Sequence, residues 1–485
     1  MPEVGTVLVT GASGYIGGRL APQLLARGYH VRIMVRKESP EHGKLWPGAE
    51  IVVADALKKD QLIKALEGVQ AAYYLIHSLL LGPREFETAD LKAAANFREA
   101  AGKNSVKRII YLGGLGDSKT SRSPHLRSRA MVAEELGAGS VPVTILRAAV
   151  IIGSGSASYE IIHHMVMRWR FILIPRWARN RCQPIGIRDV VKYLVGVLET
   201  PETTGKSFDI GGRDILTYEI MLKKFAGIIK KKVFFIPVGL ANMKFYSYSA
   251  SLITPVPAAI TAGLFEGLKD EVICRNRDIS KYIPFEPITY EEAIIRALTR
   301  EEQDKVHTRW SDSYPPAHAL AIKLHELEGV PTFITTYSIL SDKHCSDIFY
   351  SVCRIGGKTG WFNSNWMWSA RGLLDKILLG VGTARGRKSY ACLAINDVID
   401  FWRVEDIRQD QRVLLRAEMK LPGMAWLEFK INKENDNTRL SITAYFFTKT
   451  LFGKIYWYIF HPFHHFIFND IIRQIVASSR KVHRG

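Results

Sequence analysis

The chain is short of cysteine, long apolar runs and acidic charge, and each shortage excludes something. Its 485 residues hold five cysteines: Cys182, Cys274, Cys345, Cys353 and Cys392. The number is odd, the positions are scattered and no CxxC occurs. That pattern argues against a disulfide framework or a zinc site, and for free thiols in a reducing compartment. No uninterrupted apolar run reaches the roughly 18 residues of a spanning helix, so no transmembrane segment is expected. The first apolar run leads straight into a glycine turn, so a secretory leader is not expected either. Internal repeats and low-complexity tracts are missing too. The formal charge is +19, of which +9 falls on residues 305–485, so the basic excess is spread over both halves. Without a concentrated basic patch or a recognition motif, nucleic-acid binding is not expected. An anionic cofactor, an acidic substrate or an anionic membrane surface would each suit the charge.

What is present begins near the start, in Val7-Leu8-Val9-Thr10-Gly11-Ala12-Ser13-Gly14-Tyr15-Ile16-Gly17. This reads as a buried strand, a glycine-spaced turn and the opening of a helix. Gly11 permits a tight turn, Gly14 lets backbone approach a pyrophosphate, and Gly17 lets the helix pack closely on the strand. The helix start offers free N–H groups and a positive dipole end to phosphate. The spacing is GxxGxxG rather than GxGxxG, and the strand before and the helix after it support a dinucleotide site.

With 47% hydrophobic residues the chain can build two or three cored domains. Strands are expected at 6–10, 30–35, 50–53, 71–76, 108–112 and 143–147. Helices are expected at about 15–27, 59–67, 85–103 and 127–137. That alternation implies a doubly wound parallel α/β sheet with its ligand at the carboxyl ends of the strands. Residues 1–300 are read as one nucleotide-binding domain, with a substrate-side elaboration from about 151. It includes a helix opened by Ile185–Val191 and running to about Glu199, a strand and turn at 207–212 and a helix at 218–230. Residues 301–334 are charged and proline-marked and read as a linker. From 335 to 485 the texture becomes alternating, with strands at 395–404, 411–418, 425–431 and 439–447 and a helix from about 454 to 482. This is an α+β, mostly antiparallel domain.

The second strand ends in Arg36-Lys37. A base there suits the 2′-phosphate of NADP, whereas an acid would suit NAD, so NADP(H) is favoured over NAD(H). A solvated pair at a strand end is the plain alternative. Asp55 and Ala56 follow the third strand, where a side chain can reach an adenine amino group; Asp55 could equally cap a helix. Ile76 and His77 follow the fourth, beside the expected nicotinamide half.

The first 300 residues resemble the atypical short-chain dehydrogenase/reductase group, especially its NmrA-like and complex-I-subunit-like branches. The resemblance rests on Thr10 to Gly17, Asp55, Arg147 in Leu146-Arg147-Ala148-Ala149, Asp189-Val190-Val191 and Asp209-Ile210-Gly211-Gly212. It implies cofactor contacts from Thr10, Gly11, Ser13, Gly14, Tyr15, Ile16, Gly17, Arg36, Lys37, Asp55, Ala56, Ile76, His77 and Arg147. Orthodox members use serine, tyrosine and lysine, the last two in YxxxK. Here Tyr111-Leu112-Gly113-Gly114 carries glycine in place of serine. His125 stands at the tyrosine position and Arg129 at the lysine position. His125 or His77 could move a proton near neutral pH, and Arg129 could hold a ribose without titrating. Loss of the catalytic set is the equal alternative.

Residues from about 335 resemble a domain of unknown function often fused behind such Rossmann domains. The resemblance rests on Gly360-Trp361-Phe362, Trp366-Met367-Trp368, Arg371 to Asp375, Gly380-Val381-Gly382, Arg385-Gly386-Arg387, Asp400 to Val404 and Ala417 to Gly423. That family looks START-like, a helix-grip fold that commonly encloses an apolar cavity. Trp361, Trp366, Trp368, Trp402 and Trp426 would fill its core or line that cavity. Arg371, Asp375, Arg385, Arg387 and Asp400 would bind an acidic head group or form surface ion pairs. The aromatic run 456–466 is expected to pack on the sheet, with membrane contact the lesser alternative. Of the histidines at 461, 464 and 465, the first and last stand four apart, but no nearby carboxylate completes a site, and no metal is expected.

Together these readings point to a cytoplasmic NADP(H)-dependent oxidoreductase, with peripheral placement at the inner membrane face as a variant. Its substrate would be a lipophilic carbonyl, quinone or isoprenoid-like molecule. The alternative is a non-catalytic NADP(H) sensor or assembly factor whose C-terminal domain binds a lipid or a partner protein.

Overall fold

The computed structural model describes residues 5–36, 42–77, 86–239, 242–299 (without 255, 257 and 277), 324, 327, 330–356, 360–361, 365–378, 380, 382, 393 and 397–479. The chain divides into two compact units, Met1–Pro315 and Pro316–Gly485.

The first unit is built on a seven-stranded sheet. Its strands are β1 (Thr6–Val9), β2 (Val31–Val35), β3 (Glu50–Val53), β4 (Val69–Tyr74), β5 (Arg108–Gly114), β6 (Val143–Ala148) and β7 (Ser207–Ile210). They lie in the order β7-β6-β5-β4-β1-β2-β3, all parallel. Strands such as Ile109 to Leu112 are apolar without alternation because helices cover both faces. The helices Gly17–Ala26 and Ile187–Glu199 lie over one face, around Val7, Val9, Ile33 and Ile110. Phe86–Lys103 and Pro124–Gly137 cover the other, around Leu8, Tyr74, Ile109 and Tyr111. A further core gathers Ile162, Met165, Met221, Phe225 and Phe265 from residues 152–298.

The strand and turn expected at 207–212 prove to be the seventh strand of the main sheet, through β6. The topological switch at which such sheets bind ligands lies between β1 and β4: order runs outward from β1 through β2 one way and through β4 the other.

The second unit holds an antiparallel sheet of β8 (Phe333–Ser341), β9 (Val398–Ile399), β10 (Trp402–Arg408), β11 (Arg412–Ala417), β12 (Met424–Glu434) and β13 (Asn437–Phe447), in the order β8-β13-β12-β11-β10-β9. The 28-residue helix Leu451–Ser478 crosses it. Ile471, Ile472 and Ile475 of that helix share a core with Val404, Leu427 and Ile442 of the sheet. The single strand expected at 395–404 is two, because Asp400 takes a positive φ of 55° and turns the chain. Its carboxylate accepts a 2.7 Å hydrogen bond from the indole N–H of Trp361, which fixes the turn. β8 was not among the expected strands. Its β-branched, alternating sequence pairs with β13, more than 90 residues away.

Trp361 and Trp426 are fully buried, whereas Trp366 is 68% exposed and lines the apolar cavity of this unit rather than its core. Asp375 is fully buried as well, accepting from the backbone N–H of Gly382 and Lys420 and lying 3.8 Å from Arg371, so the ion pair expected on the surface is an interior one. Arg385, Arg387, Cys392 and Lys37 lie outside the described residues. Among those described, Cys182, Cys274, Cys345 and Cys353 are free thiols, and no helix is long and apolar enough to cross a membrane.

Candidate nucleotide-binding site

The turn after β1 is shaped by close approach. Gly11 has φ +63°, and a Cβ there would stand 2.5 Å from the carbonyl oxygen of Leu75. Only glycine satisfies both demands. A Cβ on Gly17 would meet the Gly11 carbonyl oxygen at 2.5 Å and the Ala12 Cα at 2.7 Å. The helix therefore presses on the turn itself, rather than on the strand as expected. Ser13, Gly14, Tyr15 and Ile16 form the partly open side of this cradle.

The residues present fit a phosphate. Ile16 stands at the N-cap of the helix Gly17–Ala26 and offers no side-chain cap, and the first turn holds no acid. The Gly18 and Arg19 N–H groups donate to the Gly14 and Ile16 carbonyls, and no side chain caps the end, so an anion would meet the turn just before them without a competing carboxylate or hydroxyl. Arg19, which the sequence reading passed over, donates to the carbonyls of Tyr15 at 2.9 Å and Ser154 at 2.8 Å and lies 4.1 Å over the Tyr15 ring. It holds the turn from behind. A cation in the first turn of a helix opposes the dipole, and that oddity was its signal.

Thr10 proves to be a staple between strands rather than a ligand contact. It is fully buried, donating to the Tyr73 carbonyl at 2.9 Å and accepting from the Leu75 N–H at 3.0 Å. Asp55 accepts from the Leu57 N–H at 3.0 Å in the turn before the helix Lys59–Ala65, whose N-cap is Lys58, so it is not the helix cap that was its plain alternative. Ala56 is buried, and Ile76 is half-buried against the core of this face. Arg36 ends β2 half-buried; burial lowers its pKa below the usual range, and the charge of Asp55 opposes that shift. Arg147 is committed to Asp209, with Nε at 2.8 Å and Nη2 at 2.7 Å from the same carboxylate oxygen. The other Asp209 oxygen accepts from the N–H groups of Arg275 and Asn276. This pair ties β6, β7 and the following loop together, so Arg147 has a structural occupation that the resemblance did not imply.

His77 and His125 come together at the carboxyl ends of β4 and β5, their ring centroids 5.1 Å apart. His77 Nδ1 lies 3.0 Å from Asp90 Oδ2, and its buried Nε2 makes no hydrogen bond. Burial lowers the His77 pKa, while the hydrogen bond from Asp90 opposes the shift. His125 is driven well below the ordinary histidine range by burial, then by the charges of His77 and Arg129. It sits in the first turn of the helix Pro124–Gly137, whose dipole also disfavours the imidazolium. Both rings therefore favour the neutral form more than a free imidazole does. Asp90 was not legible as a partner by motif. It does stand out on its own helix, where it shares a buried face with Ala93, Ala94 and Phe97.

Arg129 does not stand free for a ribose. Its guanidinium donates to the Leu112 carbonyl and lies 5.2 Å over the Tyr111 ring. The glycines that replace the expected serine also have a packing reason. A Cβ on Gly114 would meet Leu126 Cδ2 at 3.0 Å, and one on Gly116 would meet Leu126 Cβ at 2.7 Å.

One further cluster lies outside this site. Ligand atoms of Glu160, His163 and His164 lie within 4.8 Å of one another. His164 Nδ1 faces the Glu160 carbonyl oxygen at 2.9 Å, and the His163 ring stacks on Tyr159. These are the contacts of helix packing.

Comparison with known proteins agrees with this geometry. Residues 11–163 match a family model described as NAD(P)H-binding, and residues 330–471 match one described as a protein of unknown function, DUF2867. The chain is 29% identical over 251 residues to NADH dehydrogenase [ubiquinone] 1 alpha subcomplex subunit 9, mitochondrial, of Dictyostelium discoideum, covering 49% of this chain and 68% of that protein. It is 24% identical over 213 residues to the photosystem II assembly factor Ycf39 of Trieres chinensis, covering 43% and 64%. Among solved structures, a triphenylmethane reductase from Citrobacter sp. aligns with TM-score 0.50 and 21% identity, over 60% of this chain and 99% of that one. A nucleoside-diphosphate-sugar epimerase from Staphylococcus aureus aligns with TM-score 0.50 and 16% identity, over 60% and 99%. Both solved structures share the fold of the first unit.

Proposed function

We propose that the first unit, an NAD(P)-binding Rossmann domain of the NmrA-like, atypical short-chain dehydrogenase/reductase family, is an NADP(H)-dependent reductase of a lipophilic carbonyl or quinone. The observation that carries this reading is the His77–His125 pair, biased toward the neutral form at the carboxyl edge of the sheet. The bound nicotinamide would supply a hydride. The protein's part is to hold the cofactor and manage a proton. The glycine cradle and the uncapped helix start would take the pyrophosphate, and Arg36, with Lys37 beside it in sequence, the 2′-phosphate. His77, with Nδ1 oriented by Asp90, would take up a solvent proton at Nε2 and pass it, directly or through His125, to the substrate oxygen as the hydride arrives. The tyrosine and lysine of the orthodox set are not needed in this scheme. The second unit, with a sheet wrapped on a long helix as in helix-grip folds, would bind the lipophilic molecule or a related lipid.

The competing reading is a non-catalytic NADP(H) sensor or assembly factor. Arg129 turned onto Leu112 favours it, because no cation then stands in the lysine role. Similarity to a subunit of mitochondrial NADH dehydrogenase and to the photosystem II assembly factor Ycf39 favours it as well. The deciding test is NADPH oxidation by the purified chain against a panel of quinones and aldehydes, with His125→Gln alongside. Turnover lost in the variant with NADPH binding retained supports the reductase. Tight binding without turnover on any panel member favours the sensor, and no binding of either nicotinamide overturns both.

A further inference from the structure

The helix Leu451–Ser478 is apolar on more than one face. Trp457, Phe468, Ile471 and Ile475 turn into the core of the sheet. On another side Leu451, Phe452, Ile455, Tyr458, Phe463 and Phe466 are between 48% and 73% exposed. Phe452, Ile455, Ile459, Phe463 and Phe466 follow one another at steps of three or four residues, which makes one continuous stripe along four turns. A helix apolar on both sides needs a second apolar neighbour, and a patch of this extent marks a binding surface.

A cavity of about 330 Å³ lies beside this stripe, between the sheet and the helix, with walls that include Trp402, Trp426, Phe446 and Trp457. Trp366, Leu374 and Phe463 line it too, and each is at least 44% exposed. The rim of the cavity is therefore part of the exposed apolar surface. The charge on this face has one sign. Residues 437–469 contain no Asp or Glu, while Lys449 and Lys454 are exposed at the start of the stripe. The one acid on the neighbouring helix Asn365–Ile377, Asp375, is fully buried.

We propose that the C-terminal unit docks on an anionic lipid bilayer through this aromatic stripe, with the mouth of its cavity opening onto the acyl chains. Exposed aromatic and aliphatic groups, flanking lysines and the lack of any exposed acid are what an interfacial helix requires. An apolar cavity that opens on the same face takes its occupant from the apolar phase rather than from water. Among the described residues no helix is long and apolar enough to cross a membrane, and the proposed contact is made by the surface of this unit. The inference stands apart from the cofactor chemistry, because every residue in it belongs to the second unit.

Flotation of the full chain with vesicles tests it, using phosphatidylcholine alone and phosphatidylcholine mixed with phosphatidylglycerol. The wild type is expected to float with the mixed vesicles and less with the neutral ones. The double variant Phe452→Glu, Phe466→Glu should bind on the order of tenfold less or weaker, with its circular dichroism unchanged because both side chains are already in solvent. Brominated acyl chains should quench the tryptophan fluorescence of the bound protein, and Trp366→Phe should lose part of that quenching. Wild type that floats with neither vesicle overturns the proposal, as does a double variant that floats equally well. Equal flotation with both vesicles overturns its electrostatic half. A lipid-free dimer that the double variant converts to monomer overturns it as well, since the stripe would then join two copies of the chain.

Discussion

Asp90 Oδ2 and His77 Nδ1 meet 3.0 Å apart, joining the helix Phe86–Lys103 to the loop that leaves β4. The carboxylate is almost wholly buried and the imidazole three-quarters so. Burial lowers the pKa of His77 and Asp90 raises it, so removing Asp90 lets burial act alone. In Asp90→Asn the His77 ring is expected to titrate at lower pH than in the wild type, read from its Cε1 proton by NMR. An unchanged or upward shift would show that the carboxylate does not set the ring's charge.

His464 gives a pH prediction with a size. Burial, with a lesser push from His461, lowers its pKa from 6.5 to about 4. A base whose folded pKa is depressed binds a proton more readily when unfolded. Its contribution is complete above pH 6.5 and is lost as pH falls toward 4. The shift corresponds to about 3 kcal/mol across that window. His464 packs against Trp457 and Phe468, so His464→Phe keeps a ring there and removes the titration. Urea unfolding followed by tryptophan emission at a series of pH values should show a flatter acid limb in the variant.

Gly11 and Gly28 both adopt positive φ, but only Gly11 has backbone in the way of a side chain. Gly28→Ala should cost on the order of 1 kcal/mol, the conformational penalty alone. Gly11→Ala must in addition move the Leu75 carbonyl, and is expected to cost more and to abolish nicotinamide binding. Denaturant melts and a cofactor titration on the two variants check this; equal costs would contradict it.

Glu418 is fully buried, bonded to Arg403 and 3.8 Å from Arg416. In Glu418→Gln the two arginines lose their shared charge, and breaking one partner of a buried pair costs roughly 3–5 kcal/mol. Calorimetry should show the loss, and a change below about 1 kcal/mol would mean that water or other acids replace the carboxylate.

How far the chain could be read from its residues followed the range of the interactions involved. The glycine turn and the first six strands of the Rossmann sheet are local patterns, and β3 was placed to the residue. β7 and β8 depend on partners far away in sequence, and no local signal fixes which sheet a short apolar run will join. The break at Asp400 is a single αL residue inside an alternating stretch, which period alone cannot show. Within the site, residue types named the cradle. They could not show that Thr10, Arg129 and Arg147 were already occupied by Tyr73, Leu112 and Asp209. That is a matter of which neighbour lies nearest, settled only by packing.

The start of the long C-terminal helix leaves no room to move. A Cβ on Gly453 would stand 2.0 Å from Thr448 Oγ1 and 2.4 Å from the Pro422 carbonyl oxygen, and Thr450 caps the helix through the Gly453 N–H at 3.1 Å. The aromatic stripe is thus mounted on the rim of the sheet as a fixed plate, not carried on a tail that folds when it lands. Contact with a surface would then forfeit little chain entropy. Adhesion should follow encounter without a slow ordering phase, and the protein could leave as readily as it arrives.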